Sequence, residues 1–159
     1  MNRRHFLRGA LQKTAQVLRP PWAIDEASFI DRCTRCSDCI EACETGILRQ
    51  GEGGYPVVDF AFGECTFCEA CVNHCPSQAL SLETSPPWRL MASISEDCLA
   101  HRGIVCMSCR DQCPEQAITL QLRIANAALP IIDASRCNGC GACVAPCPSD
   151  AIRVGQFES

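Results

Sequence analysis

The sequence lacks the motifs and long apolar segments that mark many enzymes and membrane proteins. Its apolar stretches are far shorter than the roughly 20 residues that cross a bilayer, and it contains no Gly-rich phosphate loop, HExxH or GxSxG motif. Aromatic residues make up 6% of the 159 residues, and without cysteine the apolar fraction falls from 47% to about 37%. The sequence therefore excludes a membrane-spanning bundle, and something besides side-chain packing is expected to hold the fold.

Cysteine is the residue that the sequence has in excess. Its sixteen cysteines fall into close clusters, which is typical of metal sites rather than of a disulfide scaffold. The clusters form four similar units. These units are CTRCSDCIEAC, CTFCEACVNHCP, CLAHRGIVCMSCRDQCP and CNGCGACVAPCP.

The spacing C-x2-C-x2-C-x3-C, usually followed by proline, is the ligand pattern of bacterial ferredoxins for [4Fe-4S] clusters. Three thiolates of one unit bind one cluster, and in two-cluster ferredoxins the fourth ligand comes from the partner unit. The sequence therefore predicts four [4Fe-4S] clusters with crossed ligands. The predicted sets are Cys33, Cys36, Cys39 with Cys75; Cys65, Cys68, Cys71 with Cys43; Cys98, Cys106, Cys109 with Cys147; and Cys137, Cys140, Cys143 with Cys113.

Zinc and disulfides are weaker interpretations of the same cysteines. Zinc needs four ligands and no triplet with a distant fourth ligand, and disulfides need pairs of Cα atoms within about 7 Å at suitable angles. Sixteen thiolates for sixteen irons leave no iron free for substrate. The sequence therefore predicts a protein that is not an enzyme.

The third unit is irregular because seven residues, LAHRGIV, separate Cys98 from Cys106. One interpretation is a tolerated surface insertion. The other is a loop that recognises a partner or alters the cluster potential, with His101 and Arg102 near the sulfurs.

The halves of the chain look like duplicates. PPW occurs at residues 20–22 and again at 86–88, a short distance before the first and third cysteine units. Short β-rich runs, GGYPVVDF and LPIIDA, precede the second and fourth units, and QALSL and AIRV follow them. CVNHC and its counterparts allow a single helical turn. The predicted fold is a small α+β protein with two tandem bacterial-ferredoxin-like domains, residues 20–85 and 86–159.

Charge is unevenly distributed along the chain. Residues 1–20 contain five basic residues and no acidic residue, whereas the remainder has nine cations and eighteen acids. Four bound clusters would add roughly −8 more charge. The anionic body is expected to attract basic partner surfaces and to avoid nucleic acid.

The N-terminal segment begins MNRRHFLRGALQ and has the paired arginines of an export signal. Polar residues interrupt its apolar region, however, and no cleavage site precedes the prolines. The apolar residues instead fall within an arc of about 140° on a helical wheel. Residues 1–19 are predicted to form a basic amphipathic helix that stays attached and packs on its own domain, docks in a partner or lies on an anionic membrane. The predicted partner-binding residues are Phe6, Leu7, Leu11, Val17, Leu18, Arg8, Lys13 and Arg19.

The order of these features carries a family resemblance. RPPW, the run from CTRCSDCIEAC through GGYPVVDF, the stretched third unit and the closing CNGCGACVAPCP resemble the NapF family, ferredoxin-type accessory proteins of periplasmic nitrate reductase systems. Glu44 stands where the other units have proline, which leaves the ligands intact. The resemblance implies a cytoplasmic protein that contacts the precursor of the nitrate reductase catalytic subunit before export and assists its maturation.

Two functions remain open at this stage. An accessory protein would supply electrons or iron-sulfur units to one immature enzyme and would need the N-terminal arm. A general electron carrier, or a wiring subunit of a membrane redox complex, would exchange electrons with several proteins and would not need it.

Overall fold

The computed structural model describes residues 17–156, which contain three two-stranded antiparallel sheets. Strands β1 (Leu48–Gln50) and β2 (Pro56–Val58) form the first sheet. Strands β4 (Ile118–Arg123) and β5 (Asn126–Ile132) form a second hairpin. Strands β3 (Leu90–Ile94) and β6 (Ile152–Gln156) form the third sheet, although they lie far apart in the sequence. The predicted β-rich runs before the second and fourth cysteine units are confirmed as β2 and β5.

Each half of the chain closes by joining its beginning to its end. In the second half β3 pairs with β6 over five residues, from Leu90 opposite Gln156 to Ile94 opposite Ile152. In the first half a single bridge between Ala23 and Leu80 occupies the equivalent place. The run AIRV thus forms a strand as predicted, whereas QALSL contributes one bridge. The two halves follow the same plan with unequal amounts of sheet.

The helices of the described residues are short. Helix α1 (Glu26–Arg32) is capped by Asp25, whose carboxylate accepts a hydrogen bond of 3.1 Å from the Ser28 backbone N–H. The other three helices are single turns, which confirms the prediction for CVNHC, and each carries one buried cysteine. They are α2 (Asp38–Glu41) with Cys39, α3 (Ala70–Asn73) with Cys71, and α4 (Ser108–Asp111) with Cys109.

Cysteines form part of the hydrophobic core. The larger core surrounds Phe29 and Ile47 in the first half, and the smaller core surrounds Ile118 and Ile152 in the second. Cys39 and Cys71 are buried in the first core, and Cys109 and Cys143 in the second. Aliphatic and aromatic side chains thus pack directly around the thiols, as the small apolar content requires.

The two PPW motifs meet between the halves. The backbone N–H of Trp22 donates a 2.7 Å hydrogen bond to the carbonyl of Pro87. The rings of Trp22, Phe67, Trp88 and Phe60 follow one another edge to face, with centroids 5.6–6.4 Å apart. The repeat therefore supplies one tryptophan from each half to a shared aromatic cluster.

The predicted helix over residues 1–19 falls mainly on residues 1–16, which lie outside the described residues. Residues 17–19 are described, and they are not helical. The carbonyl of Leu18 accepts a 2.8 Å hydrogen bond from the Val58 backbone N–H, so the chain here runs beside β2. The helical prediction is therefore wrong for residues 17–19, where a backbone hydrogen bond to β2 replaces helical bonding.

Arg19, one of the predicted partner-binding residues, makes several contacts within its own chain. Its guanidinium makes a 2.7 Å ion pair with Glu26, donates to the carbonyl of Pro56 and lies over the rings of Phe29 and Tyr55. Only 15% of its side chain is exposed. Arg19 therefore fastens the start of the described chain to the first half.

Candidate metal centres

The first half contains two cavities lined by cysteines from both of its units. One cavity is lined by the triplet of the first unit together with Cys75. The other is lined by the triplet of the second unit together with Cys43. The first set is Cys33, Cys36, Cys39 and Cys75, and the second set is Cys65, Cys68, Cys71 and Cys43.

The second half brings one complete crossed set into a cavity. Cys137, Cys140 and Cys143 of the fourth unit line it with Cys113 of the third. The remaining predicted set is not among the sets that line these cavities. Burial first, and then the charges of Cys106 and Cys98, raise the pKa of Cys109 to about 11, and Cys109 packs in the same core as Cys147.

The three cavities are nearly equal in size. Each has a cavity volume of about 20 Å³. Within residues 17–156, no three His, Cys, Asp or Glu side chains converge on the position of a single metal ion. Four cysteine thiols that line one cavity are instead the ligand set of a multi-atom iron-sulfur cluster.

Hydrogen bonds to sulfur recur at these cavities. Backbone N–H groups of Phe67, Ala117 and Ala151 donate to sulfur at 3.3–3.4 Å. Hydroxyl groups two residues after a cysteine also lie within 3.9 Å of its sulfur. These pairs are Cys43 with Thr45, Cys75 with Ser77, Cys106 with Ser108, and Cys147 with Ser149. Such donors stabilise the negative charge of ligated thiolates.

Burial makes several of these thiols poor acids when nothing is bound to them. Burial, followed by the charges of neighbouring cysteines, raises the pKa of Cys39 to about 12. Cys71 and Cys143 have pKa values raised to about 12 by burial first and then mainly by neighbouring cysteine charges. A metal must therefore displace the protons, so that cluster binding and assembly of the fold are linked.

The long loop of the third unit packs against the second hairpin. Residues Leu99–Arg102 form a 3-10 turn, and the Arg123 guanidinium donates a 3.3 Å hydrogen bond to the carbonyl of Ala100. One of the two interpretations of this loop placed His101 and Arg102 near the sulfurs. In the structure His101 lies 3.5 Å from Glu96 and Arg102 lies 3.7 Å from Asp97.

Comparisons with known proteins agree with these cavities. A family model described as a 4Fe-4S dicluster domain matches residues 32–80, and another of the same description matches residues 103–151. The chain is 42% identical over 158 residues to the ferredoxin-type protein NapF of Escherichia coli K12, covering 99% of this chain and 96% of the relative. The chain belongs to the NapF family. This NapF-family protein has two dicluster domains and sixteen cysteines, which provide for four [4Fe-4S] clusters.

Other relatives extend the comparison. NapF of Haemophilus influenzae is 42% identical over 166 residues, covering 98% of this chain and 94% of the relative. The methylamine utilization ferredoxin-type protein MauM of Methylophilus methylotrophus is 33% identical over 153 residues, covering 85% and 68%. The second dicluster match begins at residue 103, within the long loop and after Cys98. The irregular unit is thus where this NapF-family chain departs from the general dicluster pattern.

Sequence reasoning missed a residue that links the parts of one cavity. The side chain of Asn138 accepts a 3.0 Å hydrogen bond from the Cys140 backbone N–H and donates one of 3.0 Å to Glu115. The backbone carbonyl of Asn138 accepts a 3.0 Å hydrogen bond from the Trp88 indole N–H. Asparagine inside CNGC is a signal for such local bonding, but its partners lie 23 and 50 residues away.

In the described part of the NapF-family chain, no helix is long and apolar enough to span a membrane.

Proposed function

We propose that this protein is a four-cluster accessory protein that acts in the cytoplasm on the precursor of the periplasmic nitrate reductase catalytic subunit. It assists maturation before export by supplying electrons or iron-sulfur units. The observation that carries the proposal is similarity to NapF proteins over 99% of the chain, together with cavities suited to fully ligated clusters. An association with the nitrate reductase system follows from that family.

The crossed ligand sets belong to this proposal. Two cavities in the first half and one in the second are lined by three cysteines of one unit and the fourth cysteine of its partner. By the same scheme Cys98, Cys106, Cys109 and Cys147 hold the fourth cluster, and residues 20–85 and 86–159 are the two domains. When bound, each cluster supplies one-electron chemistry. The protein supports it by burying the thiols and directing N–H and hydroxyl donors at them.

The N-terminal arm is assigned to partner recognition. Leu18 and Arg19 are engaged within the first half, whereas 55% of Val17 is exposed. Residues 1–16 contain Phe6, Leu7 and Leu11 with Arg8 and Lys13. Apolar contacts of these residues would drive docking, and the cations would steer encounter with the partner.

The test is an anaerobic pull-down with the loaded full-length protein and with a variant lacking residues 1–16. The full chain should retain the nitrate reductase precursor, and the truncated chain should lose it while keeping its visible iron-sulfur absorbance. A variant with Arg8 and Lys13 changed to Gln is the matched control, because it should slow association more than it weakens retention. Equal retention by the truncated chain would contradict the role of the arm.

A general electron carrier is the second candidate. The 33% identity to a ferredoxin-type protein named for methylamine utilization favours it, because similar chains serve different systems. A carrier should exchange electrons at comparable rates with several unrelated redox proteins. Stopped-flow oxidation by the nitrate reductase precursor and by two unrelated acceptors separates the candidates, since an accessory protein should react selectively.

A further inference from the structure

One position beside the proposed clusters differs between the four units. In three units the residue two places after the last cysteine has a hydroxyl 3.6–3.9 Å from that cysteine's sulfur. In the third unit this residue is a glutamate. The pairs are Cys43 with Thr45, Cys75 with Ser77, Cys147 with Ser149, and Cys113 followed by Glu115.

The Glu115 side chain is held at its cavity. It lines the cavity with Cys113 and the fourth-unit triplet, and its Oε1 accepts a 3.0 Å hydrogen bond from the Asn138 side-chain amide. Asn138 is tied in turn to the Cys140 backbone. An ionised carboxylate accepts hydrogen bonds and donates none, so this site has a negative group where the others have a hydroxyl donor.

A second acid from the first half acts on the same cavity. Burial is the main cause of the raised pKa of Cys140, and the charges of Cys113, Glu64 and Cys137 add to it. Glu64 directly precedes Cys65 in the chain. Glu64 thus places a second carboxylate near this cavity.

This cavity is also where the ligands of the two halves meet. The Cys65 backbone N–H donates a 2.8 Å hydrogen bond to the Cys140 carbonyl. The Phe60 ring lies against Gly141, where a side chain would overlap it. An electron crossing here would oxidise the Cys140 site by one electron and reduce the Cys65 site by one, with no bond broken and no proton moved.

We propose that Glu115 makes the site of Cys113, Cys137, Cys140 and Cys143 the most reducing of the four, so that this residue governs electron passage between the halves. The inference rests on the ligand sets of the proposed function. Cluster potentials depend on hydrogen bonds to sulfur and on nearby charge. A carboxylate removes the hydroxyl's hydrogen bond to sulfur and adds a negative charge. Both changes disfavour an added electron on the cluster. Glu115 is a positioning residue in this scheme, because it acts through Cys113 and Asn138.

The test is a reductive titration of the loaded full-length protein, followed by electron paramagnetic resonance. Glu115→Ser should raise the lowest reduction step by at least tenfold in its equilibrium constant, which is 59 mV for one electron. Ser149→Glu should lower the reduction step of the cluster that Cys147 binds by a similar amount. Glu44→Ser is the matched control, because Glu44 lines the cavity of Cys43 but leaves the Thr45 hydroxyl in place. Glu44→Ser should shift the reduction step of the cluster that Cys43 binds by less than Glu115→Ser shifts the lowest step.

The proposal is overturned if Glu115→Ser, at full iron content, leaves the lowest step unchanged, or if Glu44→Ser shifts a step equally. If the Glu115→Ser variant does not assemble its clusters, Ser149→Glu is the deciding variant. An unchanged set of reduction steps in Ser149→Glu also overturns the proposal. An unmodified protein with fewer than four clusters would instead contradict the ligand sets, which separates that failure from a failure of the role of Glu115.

Discussion

Arg19, which the sequence suggested as a partner contact, stabilises the first half of the chain. Arg19 combines an ion pair to Glu26 with positions over the rings of Phe29 and Tyr55. A partly exposed ion pair contributes up to about 1 kcal/mol, and a cation over a ring contributes roughly 0.5–1 kcal/mol more. Arg19→Ala should therefore destabilise the loaded protein by about 1–2 kcal/mol.

The measurement for Arg19 is the urea concentration at which the visible iron-sulfur absorbance is half lost. Arg49→Ala is the control, because Arg49 lies over the ring of Phe62, which is 55% exposed. Arg49→Ala should lower the midpoint urea concentration less than Arg19→Ala does. Equal shifts for the two variants would show that Arg19 is no more than another surface cation.

Gly141 is predicted to be indispensable for the joint between the halves. Its φ of +81° lies in the left-handed region, and a Cβ would overlap the ring of Phe60. Strain of this kind costs roughly 1–3 kcal/mol, and overpacking costs about as much again. Gly141→Ala should lower iron content by about one cluster, measured as iron per chain.

Two variants make the Gly141 result specific. Gly46→Ala places a Cβ at a φ of +67° with nothing within 4 Å, so it tests backbone strain alone and should retain its iron. Adding Phe60→Ala to Gly141→Ala removes the overlap and should restore part of the lost cluster. Failure of the double variant to recover any iron would mean that contact with Phe60 is not the cause.

The difference between predicted and unpredicted residues follows from sequence distance. The cysteines could be recognised because their spacing is local and repeated four times. Gly141 and Asn138 lie inside the same motif, but their roles depend on Phe60, Trp88 and Glu115 elsewhere in the chain. No pattern of period two or 3.6 reports such contacts, and the purpose of the two PPW motifs became clear only when Trp22 and Trp88 were seen in one aromatic cluster.

At the scale of elements, the second hairpin supports the long loop of the third unit. Arg123 donates to the carbonyls of Ala100 and Ala127, which joins the loop to β5. Arg123→Ala should free the loop and speed cleavage by trypsin after Arg102, measured by mass spectrometry of timed anaerobic digests. Gln121→Ala, an exposed change on the same strand, should leave the cleavage rate unchanged. A stable loop in Arg123→Ala would show that the turn at Leu99–Arg102 is self-supporting.

Elements were predicted well where a pattern was bounded by turn residues and less well at the chain's ends. The runs GGYPVVDF and LPIIDA precede a cysteine unit and are bounded by glycine, proline or aspartate, and both contain strand residues. Residues 17–19 continue the helical pattern of apolar side chains but are not helical, and the Leu18 carbonyl accepts a hydrogen bond from Val58 of β2. Tertiary hydrogen bonding outweighed the local preference there.

For the whole molecule, metal removal should be equivalent to unfolding. Cysteines lie within both cores, and Cys39, Cys71 and Cys143 have raised pKa values, first because burial disfavours their charged forms. The loaded protein should contain about sixteen irons and sixteen acid-labile sulfides. After anaerobic chelation in reductant, circular dichroism should show no cooperative thermal transition. A sharp transition in the metal-free protein would mean that side-chain packing alone suffices.

The pairing of β3 with β6 has a consequence for synthesis on the ribosome. The first half is complete once Leu80 has emerged to meet Ala23, whereas β3 must wait for Ile152–Gln156, which emerge about 60 residues later. At typical elongation rates that interval is roughly three to twelve seconds. Eight cysteines of the second half thus remain unprotected in the nascent chain while the first half is already able to receive its clusters, so oxygen encountered during translation should damage the second half first.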